Sequence, residues 1–206
     1  MDAAAPAPVG KSPTVTVGVA IPVPAPWGDL LDRVRIASGD PLGGIVPAHL
    51  TLLGPTEMPR AVLPDFSAHL ASVAEGCPPF DLHLRGTGSF RPVTEVVFVA
   101  VVDGIAVCEQ LEAAIRRGPA GRERSFPYHP HITIAHNVST EALDRAFTAL
   151  AGFEAKFRVE SFTLYTHPNP GAWTFETLAG APVPWTPRAV FPLGGGNAMR
   201  GGLPKA

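Results

Sequence analysis

Two histidines in this chain share a context that places a hydroxyl beside an imidazole. The segments are His49-Leu50-Thr51-Leu52 and His131-Ile132-Thr133-Ile134, and both alternate polar and apolar residues. If each is a β-strand, successive side chains point to opposite faces, so the histidine and the threonine share one face, roughly 7 Å apart. The aliphatic residues then face a core. Each strand therefore offers a proton-transfer group and a hydrogen-bond donor in the same direction.

These residue types suit general acid–base catalysis at a phosphoester. An imidazole with an ordinary pKa near 6.5 can be neutral or charged around neutral pH, so one histidine can take a proton from water while the other protonates a departing alkoxide. Threonine hydroxyls can donate hydrogen bonds to the non-bridging phosphate oxygens. Because the two motifs are nearly equivalent, His49 and His131 are interchangeable as acid and base. The predicted reaction needs no metal and no cofactor.

The composition is that of a globular protein with a sizeable core. The 206 residues are 46% hydrophobic and their net charge is -2, which argues against a broad basic face that coats nucleic acid. A local basic patch, either a substrate contact or a solvated loop, is formed by Arg116, Arg117, Arg122 and Arg124 around Glu123.

No long apolar segment resembles a secretory signal or a membrane span, so the sequence predicts a cytoplasmic protein with no membrane partner. No protein partner is indicated. The two cysteines, Cys77 and Cys108, lack metal-type spacing and are predicted to be reduced packing residues.

Strand and helix patterns around the two motifs roughly repeat along the chain. Strands are predicted at 15–21, 45–53, 80–84, 96–102, 128–136, 153–165 and 173–178, and helices at 27–36, 63–73, 105–117 and 139–152. The predicted fold class is α+β: a bilobal duplicated unit with two mostly antiparallel sheets, helices outside, and an active-site cleft between the lobes. The predicted organisation is a flexible N-terminus at 1–13, the bilobal domain at 14–185 and a flexible Gly- and Pro-rich tail at 186–206.

Together these features resemble the two-histidine (2H) phosphoesterase superfamily, which includes the RNA 2',3'-cyclic phosphodiesterases also called 2'-5' RNA ligases. The resemblance spans roughly residues 14–180 and rests on the segments 47–52 and 130–135, with Phe90-Arg91-Pro92 as weaker support. It implies a bilobal fold with pseudo-twofold symmetry and a catalytic tetrad of His49, Thr51, His131 and Thr133.

The same resemblance implies a substrate class. The protein would open 2',3'-cyclic phosphates of RNA ends or small nucleotides to 2'-phosphates, with reversible 2'-5' ligation as a related reaction. Many relatives carry an arginine where this chain has His136. His136 is therefore a weaker phosphate contact, or the substrate is smaller than RNA. The candidate substrate-binding residues are Tyr128, His136, Phe90 and Arg124, and Phe126 is a further candidate for stacking on a base.

Other functions stay open at this point. His129, His131 and His136 could belong to a metallohydrolase, although in a continuous strand His136 would point away from the other two. A non-catalytic module could use the same cleft to hold phosphorylated nucleotides or RNA ends. A nucleotide-binding P-loop is not indicated, because the turn at 85–90 lacks the Gly-Lys-Ser/Thr ending.

Overall fold

A computed structural model describes residues 13–121, 126–167 and 185–194. The strands in these residues are β1 (Thr14–Pro22), β2 (His49–Pro59), β3 (Phe80–Ser89), β4 (Val96–Asp103), β5 (His131–His136), β6 (Glu154–Val159), β7 (Ser161–His167) and β8 (Thr186–Pro192). The α-helices are α1 (Trp27–Ala37), α2 (Leu63–Glu75), α3 (Ile105–Arg116) and α4 (Thr140–Ala149), and a short 3-10 helix spans Arg60–Val62. No helix in this part of the chain has the length and apolar character needed to cross a membrane.

All eight described strands join one antiparallel sheet, in the order β6-β3-β4-β5-β2-β1-β7-β8. The predicted α+β class is confirmed, but the prediction of two separate sheets is wrong. The reason is that the two motif strands pair directly, since Leu50 of β2 lies opposite Ile132 of β5. The predicted lobes are therefore two halves of a single sheet, joined at its centre.

The two halves of the sheet are interleaved in the chain. One half, β6-β3-β4-β5, comes from residues 80–159, and the other, β2-β1-β7-β8, comes from 14–59 and 161–192. Helices α1 and α4 pack against the first half, and α2 and α3 pack against the second. The sequence repeat therefore does not coincide with the halves, because β3 and β4 support the second motif strand rather than the first.

A core of aliphatic and aromatic residues fixes which way the motif strands face. Leu50 and Ile132 are fully buried in one hydrophobic cluster with Phe66 of α2 and Leu111 of α3. Burial of each such side chain contributes about 1.5–3 kcal/mol, so turning either strand over would expose several of them at once. The imidazoles and hydroxyls are thereby held on the opposite face.

Most predicted elements are confirmed, with differences at breaks and ends. The side chain of Ser139 caps α4 by accepting a hydrogen bond from the amide of Ala142 at 3.3 Å, as the sequence indicates. The long strand predicted at 153–165 is two strands that break at Glu160. Residues 186–192, assigned by sequence to a flexible tail, form β8 instead, paired with β7. The strand predicted at 173–178 and the remaining terminal segments lie outside the described residues.

Candidate active site

The motif residues occupy neighbouring positions on the two central strands. Leu50 lies opposite Ile132, and extending this antiparallel register by one position in each direction sets His49 opposite Thr133 and Thr51 opposite His131. Cβ atoms of directly opposite residues are about 5 Å apart, and those of diagonal residues about 7–8 Å. The register thus gathers two imidazoles, set diagonally, and two hydroxyls.

Both motif strands carry an irregularity just after the threonine. On β5, Val97 and Phe98 of β4 pair with Ala135 and Thr133, so Ile134 is the extra residue of a bulge. β2 likewise carries extra residues relative to β1. The burial patterns of 49–54 and 131–136 are accordingly the same, with half-buried residues at the first, third and sixth positions.

Backbone hydrogen bonds fix the tautomers of both histidines. Nδ1 of His49 lies 2.7 Å from the carbonyl oxygen of Pro47, and Nδ1 of His131 lies 2.7 Å from that of His129. A carbonyl oxygen only accepts, so Nδ1 must carry the proton in each ring. In the neutral form, Nε2 of each histidine therefore has a free lone pair.

The surroundings of His49 hold it neutral. Burial lowers its pKa from 6.5 to about 4, an effect larger than the opposing one of the hydrogen bond to Pro47, and the charges of Arg35 and His131 lower it further. The indole of Trp185 packs against this imidazole, with ring centroids 5.3 Å apart and an interplanar angle of 35°. At neutral pH the His49 imidazole of the free protein is therefore neutral.

Two phenylalanines form the apolar wall around His131. The rings of Phe90 and Phe98 lie with centroids 4.9 Å and 5.3 Å from the His131 imidazole, and 4.4 Å from each other. The His129 ring lies nearly parallel to that of His131 at 6.4 Å. Burial lowers the pKa of His131, partly opposed by its hydrogen bond to the carbonyl of His129, and the His129 ring adds to the lowering.

His136 lies on the half-exposed side of β5. The bulge at Ile134 shifts the alternation by one residue, so half-buried positions fall at His131, Thr133 and His136, unlike in a continuous strand. Burial lowers the pKa of His136, with Asp40 raising it and Arg35 lowering it. Arg35 and Asp40 form a buried ion pair with an Nε to Oδ2 distance of 2.9 Å.

The other predicted contacts have different surroundings. Tyr128 is half-buried against the core, and its hydroxyl donates a 2.9 Å hydrogen bond to the carbonyl oxygen of Thr51. Phe90 belongs to the site through its contact with His131. Phe126 is 66% exposed. Arg124 lies outside the described residues, as do Arg122 and Glu123 of the basic patch.

The predicted metal-binding histidines are not gathered. Within residues 13–121, 126–167 and 185–194, no three His, Cys, Asp or Glu side chains lie together in a way that could hold a metal ion. His129, His131 and His136 therefore do not form a metal centre there, although the bulge brings His136 to the same side as His131.

Histidines elsewhere have structural partners. Nε2 of His83 lies 2.8 Å from a carboxylate oxygen of Glu154, and Nε2 of His69 lies 3.0 Å from the carbonyl oxygen of Ala114. His69 and Cys77 line a groove of about 530 Å³ between α2 and α3 that includes none of the four motif residues. Cys108 is fully buried, and burial raises the pKa of its thiol to about 12, as suits a packing residue.

Comparison with known families gives the context for this geometry. The family model described as "2'-5' RNA ligase superfamily" matches residues 22–171, which is most of the chain and includes both motif strands. The chain belongs to this superfamily. A candidate phosphoesterase of Halalkalibacterium halodurans is 28% identical over 156 residues, covering 74% of this chain and 90% of the relative. Another, from Bacillus cytotoxicus, is 34% identical over 100 residues, and that match spans 48% of this chain and 58% of the relative.

A solved member confirms the fold of this 2'-5' RNA ligase superfamily chain. The crystal structure of E. coli LigT complexed with 3'-AMP superposes with a TM-score of 0.63 at 22% sequence identity, covering 88% of this chain and 99% of LigT. The resemblance read from the two motifs is therefore confirmed at the level of superfamily and fold.

Two aromatic residues that stand beside the motif histidines of this chain are not evident from the motifs. Phe98 reads as one more apolar residue of β4, and Trp185 is far from His49 in sequence. One signal was available, since Gly18 interrupts a β1 that is otherwise rich in Val and Thr, and a glycine inside a strand often marks a close approach. The structure places Trp185 against that glycine.

Proposed function

We propose that this protein is a phosphoesterase that opens 2',3'-cyclic phosphates to 2'-phosphates by two-histidine general acid–base catalysis, without a metal ion. The observation that carries the proposal is the pairing of Leu50 with Ile132, which sets two His-x-Thr segments side by side with both Nδ1 atoms tied to backbone carbonyls. Two imidazoles with Nε2 lone pairs on one face can serve the two ends of a displacement.

The proposed step is an in-line displacement at phosphorus. Nε2 of one histidine takes a proton from water, the water oxygen forms a bond to phosphorus, and the bond from phosphorus to the 3'-oxygen breaks. Nε2 of the other histidine donates its proton to that departing oxygen. Thr51 and Thr133 donate hydrogen bonds to the non-bridging oxygens, where negative charge is stabilised. The reverse step would form a 2'-5' linkage when a ribose hydroxyl replaces water.

The substrate itself supplies part of the required charge state. Burial lowers the pKa values of both His49 and His131, so the free protein near neutral pH holds two neutral imidazoles. A phosphate anion within about 4–6 Å favours the protonated form of an imidazole. Binding of the cyclic phosphate therefore raises the pKa of the histidine that acts as the acid and prepares it to protonate the leaving oxygen.

The aromatic residues beside His131 support a nucleotide ligand. Phe90 and Phe98 stand beside His131, where a base could stack against the exposed part of the wall. Crystal structures of E. coli LigT are described in complex with 3'-AMP, with ATP and with phosphate, which agrees with a nucleotide ligand for this fold.

A panel of cyclic phosphates tests the proposal. Purified protein is incubated with the four nucleoside 2',3'-cyclic phosphates, a short RNA with that end and a 2'-5'-linked dinucleotide, and the products are identified by phosphorus NMR. A single regioisomer is expected, because two fixed threonine donors allow one productive orientation, and the resemblance to the cyclic phosphodiesterases implies that it is the 2'-phosphate. A clean 3'-phosphate would overturn the orientation, a mixture would overturn the fixed site, and tight binding without turnover would make the protein a binding module.

A further inference from the structure

The side chain of Trp185 depends on the absence of a side chain at Gly18. A Cβ atom built on Gly18 would lie 2.8 Å from the nearest ring carbon of Trp185, closer than real Cβ contacts come. Gly18 lies in the middle of β1, between Val17 and Val19, where a β-branched residue would suit the strand better. The glycine thus leaves room for the indole to lie against the backbone of the sheet.

From its position against Gly18, the indole contacts His49. Its centroid lies 5.3 Å from that of the His49 imidazole and 5.3 Å from that of the Tyr165 ring, which stands on β7 opposite Gly18. These separations are within the range of favourable aromatic contacts. His49 is therefore held from two sides, by the Trp185 ring and by its hydrogen bond to Pro47.

We propose that Trp185 is a positioning residue of the site. This proposal rests on the function proposed above. The indole, seated on Gly18, holds the His49 imidazole in its working orientation and keeps water from one side of the ring. Trp185 contacts the histidine and acts through it.

The aromatic residues around the two histidines come from different parts of the chain. Trp185 contacts His49 and is itself contacted by Tyr165, whereas Phe90 and Phe98 contact His131. A change at Trp185 should therefore alter the pKa of His49 and leave the pKa of His131 unchanged. Because water stabilises the charged imidazole, loss of the indole should raise the pKa of His49 from about 4 toward 6.5.

The first experiment needs no substrate. The pKa of each histidine is measured by NMR titration of the imidazole resonances in the full-length protein, its W185A and W185F variants, and W27A. Trp27 stacks on Phe157 of the edge strand β6, so W27A is a matched tryptophan control. W185A should raise the pKa of His49 by roughly one unit or more, W185F by less, and W27A should not change it. An unchanged His49 in W185A, or an equal shift in W27A, would overturn the proposal.

A second variant separates displacement of the ring from its loss. G18A keeps both Trp185 and His49, but its added Cβ atom would push the indole away from the sheet. It should therefore shift the His49 pKa in the same direction as W185A. With an active substrate, W185A should lower kcat more than it raises KM, and one limb of the pH profile should move with the His49 pKa. If the His49 pKa shifts in W185A while no cyclic phosphate is ever turned over, the positioning role stands and the proposed function fails. If turnover is normal and the titration is unchanged, the proposed function stands and the positioning role fails.

Discussion

The hydroxyl of Tyr128 donates a hydrogen bond of 2.9 Å to the carbonyl oxygen of Thr51. This bond links the segment that leads into β5 to the beginning of β2, close to the position where Leu50 lies opposite Ile132. Tyr128 was a candidate to stack on a substrate base, and in the structure its hydroxyl holds the two motif strands together. The relative placement of the candidate catalytic groups therefore depends on a contact outside the motifs.

The Y128F variant tests this link. Loss of the hydroxyl should lower the free energy of unfolding by about 0.5–1.5 kcal/mol and reduce kcat, because the two motifs are then less firmly held. Urea unfolding and steady-state kinetics measure both effects. T148A is a suitable control, since the Thr148 hydroxyl bonds within α4 to the carbonyl of Asp144. Full activity in Y128F would show that the sheet alone sets the geometry.

The four motif residues give the most direct prediction for activity. H49A and H131A should each lower turnover by on the order of 10²- to 10⁴-fold, because each removes a proton-transfer partner, and T51A and T133A should lower it by less. All four variants should keep the circular dichroism spectrum of the parent. H83A is the matched histidine control, because His83 pairs with Glu154. Near-parental turnover in either His49 or His131 variant would contradict the two-histidine mechanism.

The pH profiles of kcat/KM and kcat should differ. kcat/KM reports the free enzyme, in which burial lowers the pKa values of His49 and His131 below 6.5, so its alkaline limb should fall below about pH 6.5. kcat reports the complex, in which the bound phosphate raises the pKa of the acid, so its alkaline limb should lie at higher pH. Kinetics from about pH 5 to about pH 9 measure both limbs. Coincident limbs would show that the substrate does not change the protonation of the site.

Stability should fall on mild acidification. The folded pKa of His49 is about 4 and its ordinary value is 6.5, so between these values the unfolded chain binds a proton that the folded chain excludes. The contribution of His49 is therefore complete above about pH 6.5 and is lost as the pH falls toward 4. Urea unfolding across this window should show a smaller decline in H49Q than in the parent, because glutamine does not titrate. Equal declines would mean that His49 is not desolvated as described.

Removal of metal ions should leave turnover intact. The proposed step uses only imidazoles and hydroxyls, so exhaustive treatment with EDTA followed by gel filtration should not change kcat. Activity that disappears with EDTA and returns with zinc or manganese would instead favour a metal-assisted hydrolysis.

The sequence allows the tetrad to be predicted but not the way its strands meet. A period of two puts His49 with Thr51 and His131 with Thr133 whether the strands face each other across a cleft or lie side by side. The choice depends on which strand edges pair, and the hydrogen-bonding backbone groups that decide it are the same for every residue. The two sheets predicted from the repeat were wrong for this reason.

Residues that join the site through pairing of strands far apart in the chain could also not be predicted from the sequence. Trp185 reaches His49 because β1 pairs with both β2 and β7, a relationship that no local pattern specifies. β8 was missed because Pro187 and Pro192 are typical of a tail, yet an edge strand tolerates proline, since one row of its amides needs no partner.

The interleaving of the two halves sets an order of events during synthesis. Residues 80–136 contain β3, β4 and β5, three of the four strands of one half of the sheet, so this segment can begin to gain its own contacts before β7 emerges. In contrast, Thr16 of β1 pairs with His167 of β7, about 150 residues later, and such long-range closure is slow. A nascent chain therefore carries both histidine motifs before β7 pairs with β1, since β5 ends at His136 and β7 begins only at Ser161. In the growing chain, the edge of β1 that later pairs with β7 therefore stays unpaired until β7 emerges from the ribosome.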